Sequence, residues 1–105
     1  MTWSHPILDA PLRELDEASQ DIRSLEGYLQ GHAALVFAGV RLESGEQVTW
    51  AQVPPGPWRI WYIPVDGSGP ARPLIETPSE MRLRCRPMLP KLLEAVAKAL
   101  MPGAA

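Results

Sequence analysis

The sequence predicts an α+β fold, a two-layer sandwich with an N-terminal helix, an antiparallel meander of four to five strands and a C-terminal helix. Three observations carry that expectation. Leu15, Ala18, Ile22, Leu25 and Leu29 recur at helical spacing in the first third of the chain, and Leu92, Leu93, Val96 and Leu100 do so near its end. Between them, short apolar runs alternate with Pro- and Gly-rich breaks, the pattern of strands joined by turns. Two helices with one apolar stripe each most simply cover one face of the sheet and leave the other open.

The elements follow in order. The first helix is expected over residues 10 to 30, with Asp9 as N-cap, Pro11 in the first turn and Gly31 ending it in the left-handed conformation. Residues 34 to 42 are apolar on both faces and read as a central strand with Phe37 in the core. Glu43-Ser44-Gly45-Glu46 forms a hairpin loop, and residues 47 to 53 return. Pro54-Pro55-Gly56-Pro57 breaks the chain before a third strand over 58 to 65, and residues 66 to 70 turn it again. A short fourth strand over 72 to 76 contains Pro73, which places it at an edge.

Residues 80 to 86 alternate strictly, with Met81, Leu83 and Cys85 on one side and Arg82, Arg84 and Arg86 on the other. We read them as a fifth strand that carries an arginine ladder. A helix is the rival reading: Thr77-Pro78-Ser79-Glu80 matches a capping box, and Met81, Cys85, Met88 and Leu92 recur at helical spacing. Pro87 weighs against it, because a proline inside a helix clashes with the preceding turn. The last helix starts at Pro90 and stops at Pro102-Gly103. Leu25, Phe37, Ile60, Leu83 and Val96 are the expected core. All 105 residues make one domain, with residues 1 to 8 and 102 to 105 as flexible ends.

Composition narrows the function classes. A hydrophobic content of 46% with 21% charged residues argues against disorder, and a net charge of -2 gives no global reason to expect nucleic acid or an anionic membrane. The charge is polarised, near -5 over residues 1 to 53 and +3 over 54 to 105. The single cysteine excludes an internal disulfide framework, and the first residues lack a secretory pattern, so the expected location is cytoplasmic. The longest apolar run, from Ala33 to Val40, is too short to span a bilayer.

No catalytic or metal motif emerges. His5, His32 and Cys85 are scattered without ligand spacing, so neither metal nor cofactor is expected. Cys85 reads as a buried core thiol and His32 as a partner of the helix C-terminus. Asp66-Gly67-Ser68-Gly69 is a turn without the spacing of a phosphate loop, and Glu14, Asp16, Glu17 and Asp21 lie on a solvated helix face.

The aromatic residues carry more. In the third strand Trp58, Ile60 and Tyr62 share one face while Arg59, Trp61 and Ile63 share the other, and both faces cannot be core in a two-layer protein. Trp, Tyr and Arg are the residue types enriched at binding hot spots. The expected site is therefore a partner-binding surface of Arg59, Trp61, Arg82, Arg84 and Arg86. It fits a small non-enzymatic protein-protein interaction module, an accessory, regulatory or inhibitory protein, whose partner is another protein or a second copy in a homodimer. Two alternatives stand beside it: a single-stranded nucleic-acid binder that stacks bases on Trp61, which the acidic balance makes the weaker reading, and a small-molecule or enzymatic domain with a cleft between helices and sheet.

Overall fold

The computed structural model describes residues 16–65 and 69–101. Helix α1 (Asp16–His32) leads into strands β1 (Ala38–Arg41), β2 (Gln47–Gln52), β3 (Trp58–Ile63) and β4 (Arg72–Pro73), and helices α2 (Ser79–Cys85) and α3 (Leu89–Leu100) follow. The strands form one antiparallel sheet in the order β1-β2-β3-β4. The expected α+β fold is present, with the expected meander. Asp9 and Pro11, the flexible ends and most of the 66 to 70 turn lie outside the described residues.

All three helices contribute to a core on one face of the sheet. Ile22, Leu25 and Leu29 of α1 meet Val48, Trp50, Ile60 and Tyr62 of the strands, while Leu89, Leu92, Leu93 and Val96 fill the space from α3. Burial of this kind is worth roughly 1.5–3 kcal/mol for each large side chain and is the main reason why short strands hold their register. Trp50 is the largest member. Its indole Nε1 donates to Ala33 O at 3.0 Å, which satisfies the one polar atom of a ring with no exposure and ties β2 to the end of α1.

Several sequence expectations are corrected. Residues 80 to 86 are not a fifth strand: Ser79–Cys85 is helical, so the helical period of Met81, Cys85, Met88 and Leu92 prevails over the two-residue alternation. Pro87 is accommodated because the α-helix stops at Cys85 and the chain tightens into a 3-10 turn at Arg86–Met88 before α3 begins. The capping box does not form, since the Thr77 hydroxyl donates to Leu74 O (2.7 Å) and Pro78 occupies the N-cap.

The strand expected to be central is an edge strand. β1 has four residues and, among the described residues, pairs only with β2, and Phe37, expected in the core, is 69% exposed. Leu83, also expected in the core, is only half-buried. Finally, the fourth strand holds only Arg72–Pro73, beyond which Leu74–Glu76 is a 3-10 turn. Gly31 lies in the last turn of α1 and does not end it in the left-handed region. That conformation falls instead on Leu35, at φ 88. His32 does meet the helix end, with Nδ1 2.8 Å from Tyr28 O.

Candidate binding face

The two faces of the sheet follow from the register. Ala38, Trp50 and Ile60 form one row toward the helices, and Val40, Val48, Tyr62 and Arg72 form the next. The outer face carries Gly39, Thr49, Trp61 and Pro73 in one row and Arg41, Gln47 and Ile63 in another, with Ala51 beside Arg59. Among the described residues no helix lies on this outer side.

Trp61 sits near its centre and is half-buried. Its Nε1 donates to Ala51 O at 3.0 Å, which draws the indole across β2 and lays it along the sheet instead of out into solvent. Thr49, the register partner of Trp61, is only 2% exposed although it belongs to the outer face. Its hydroxyl lacks a hydrogen-bond partner. On the other side of Thr49 stands Gly39, where a Cβ would come within 2.8 Å of Thr49 Oγ1, so glycine alone allows β1 to lie this close. Leu35 and Phe37 before β1 and Val53 after β2 add exposed apolar surface at the same end of this strand pair.

The expected site residues divide sharply. Trp61 and the stem of Arg59 stand on the outer face as the strand parity requires. The head of Arg59 turns around the β3 edge to Glu26 of α1 (3.3 Å) and Glu76 (3.5 Å), while Glu26 also accepts the Ile60 N–H at 2.9 Å where β4 no longer covers that edge. Arg82, Arg84 and Arg86 are not on a sheet face at all. Arg82 donates to Thr77 O and to Ser79 Oγ, Arg84 to Glu46, and Arg86 to Asp21. They fasten α2 to its surroundings.

Those contacts place three carboxylates at low exposure: Asp21 at 3%, Glu26 at 8% and Glu46 at 5%. Each has an arginine, as a buried charge requires. Burial alone pushes the Glu46 carboxyl up, but hydrogen bonds from Ser44 and Tyr62 and the charge of Arg84 outweigh it and hold it below the ordinary carboxylate value. The same surroundings act oppositely on neutral acids. Burial, followed by the hydrogen bond to Glu46, raises the Tyr62 hydroxyl to about 12, and burial, followed by the Glu46 charge, raises the Cys85 thiol to about 11. A thiol held neutral in this way is no nucleophile, which agrees with its expected core role.

The described residues contain no cluster of three or more His, Cys, Asp or Glu side chains suited to a metal, and no helix among them is long and apolar enough to cross a membrane. A shallow cleft of about 260 Å³ lies between Tyr62, Arg72, Thr77 and Met81, and its inner polar group, the Tyr62 hydroxyl, is already committed to Glu46. Comparison with family models, curated proteins and solved structures returns no match for this chain.

Phe37 is the outer-face residue that sequence reasoning missed. The signal was present in its parity: Gly39 and Arg41 share its face, and a strand face made of Phe, Gly and Arg has little with which to fill a core.

Proposed function

We propose that the chain is a small non-enzymatic interaction module that holds a protein partner on its outer sheet face, with the flat indole of Trp61 as the floor and Phe37 as the projecting anchor. One observation carries this reading: a ring 69% exposed stands at the end of a sheet face that no described helix covers. Contiguous apolar surface of this kind, rimmed by polar groups, is characteristic of interaction sites. The rim here is Arg41 and Gln47. We place the protein in the cytoplasm on its content of a single cysteine.

Protein is favoured over nucleic acid by the fate of the arginines. Phosphate binding draws on cations not already neutralised, yet Arg59, Arg84 and Arg86 are each paired with a carboxylate. A partner with apolar side chains suits the face better than a polyanion. Capture from extracts of the native host tests the proposal. The principal protein retained by the wild type is expected to be lost from a Phe37→Ala/Trp61→Ala double variant and kept by Lys98→Ala, a change on α3 away from the face. Equal retention by the double variant and the wild type overturns the reading.

A further inference from the structure

The edge of β1 offers more than an end to the sheet. At the hairpin, Leu42 N donates to Glu46 O at 2.8 Å, continuing the paired rows of Val40 with Val48 and Ala38 with Trp50. In an antiparallel ladder the residues that bond across a pair alternate with those that do not, so Ala38, Val40 and Leu42 turn their backbone groups toward β2. Gly39 and Arg41 turn theirs outward, and so does Phe37 just before the strand. Among the described residues no strand pairs with that edge.

We infer that a second copy of this chain adds to the free edge of β1, antiparallel and about a two-fold axis at Gly39, so that two four-stranded sheets become one. A two-fold axis perpendicular to the sheet keeps the helices of both copies on the same side, and it pairs outer-face residues only with outer-face residues. Few registers meet that condition. Centring on Gly39 sets Phe37 opposite Arg41 of the second copy, twice over, with Gly39 against Gly39 between them. On the helix side the same register sets Ala38 opposite Val40, which continues the apolar core across the junction.

The side chains fit this arrangement. Arg41 is exposed, lacks an ion pair among the described residues and holds only a long hydrogen bond to Gly45 O (3.3 Å). Phe37 needs cover, and a guanidinium over an aromatic ring is an attractive cross-strand pair. Shifting the centre to Val40 puts Gly39 opposite Arg41 and Phe37 opposite Glu43, which loses both ring-cation pairs. A positive charge on an edge strand ordinarily discourages unspecific pairing. Here a second copy supplies the ring that makes the charge welcome, so the edge selects itself.

Joining the edges places two outer faces side by side but lays Arg41 of the second copy against Phe37, so a partner anchored on Phe37 competes with the second copy for that ring. The interface is a strand edge of modest area, so the dimer is expected to form reversibly as concentration rises. Two variants that each add one cysteine test the register, since the native Cys85 is buried and its thiol is held neutral. Mixed under mild oxidation, Phe37→Cys and Arg41→Cys are expected to give a disulfide-linked heterodimer, while neither alone does, because each position faces the other and not itself. Sedimentation of the wild type is expected to show a mean mass rising toward twice the monomer, and Trp61→Ala is expected to do the same while losing partner capture. A monomeric mass throughout the concentration series, or cross-linking that is no faster in the mixture than in either variant alone, overturns the inference and leaves the outer-face reading to its own test.

Discussion

Adjacent residues of β3 meet opposite conditions. Ile60 and Tyr62 disappear beneath the helices, the first with no exposure and the second hydrogen-bonded to a buried carboxylate, while Trp61 and Ile63 face outward and stay half-buried. The inner face obtains its order from packing and from three carboxylate-arginine ties. The outer face has apolar side chains of the same kinds but little to pack them against. The difference teaches that composition alone does not mark the core: Phe37 and Leu35 are as apolar as Ile60, yet they stand in water just ahead of β1.

The contrast breaks most visibly if the inner face proves tolerant. Leu25→Ala or Val96→Ala is expected to cost about 2 to 4 kcal/mol, read from the urea midpoint, through lost burial and the cavity left behind. Trp61→Ala, on the outer face, should cost clearly less. Equal losses would mean that the outer face is packed after all. The next effect concerns the arginines. Arg86→Ala removes the guanidinium that Asp21 pairs with at 3% exposure and is expected to cost about 2 to 4 kcal/mol, whereas Lys91→Ala, on an exposed position of α3, stays within about 0.5 kcal/mol. If thermal melts put the two variants together, Arg86 is a surface charge and its tie to Asp21 adds nothing.

Glu46 sharpens the comparison through pH. Its folded pKa is lowered, so its stabilisation is present above the ordinary carboxylate value and fades as pH falls through the folded value. Glu46→Gln is therefore expected to lose about 1 to 2 kcal/mol at neutral pH, with the gap to the wild type closing in acid. A gap that stays constant down to acid unfolding would remove charge from the explanation. The smallest effect belongs to the outer face. Thr49→Val replaces a buried hydroxyl that lacks a partner and should raise stability by up to about 1 kcal/mol in the same melts. A loss would show that the hydroxyl is satisfied in solution.

Much of this architecture was legible in the sequence because helix and strand periods leave direct traces. The stripe from Ala18 to Leu29 is buried as its spacing requires, and the parity of β3 separates Ile60 and Tyr62 from Trp61. What failed were decisions that depend on distant partners. The 80 to 86 segment satisfies both periods, and its helix is held by Glu46 and Asp21, far away in sequence, neither of which is its neighbour on a sheet. Strand order is equally nonlocal: nothing between Ala34 and Leu42 says whether one neighbour or two will pair with it. The candidate site was legible at Trp61 and misread at the three arginines for the same reason.

The row Gly39, Thr49, Trp61 and Pro73 runs across all four strands, and its first two members leave each other no spare room, since even a methyl group on Gly39 would collide with Thr49 Oγ1. Such positions do not drift independently. In descendants of this chain a larger residue at position 39 should appear only with a smaller one at 49, and the pair should change together more often than either changes with its neighbours in sequence. The outer face therefore carries a heritable signature of its own, readable by saturating both positions at once and asking which combinations still fold.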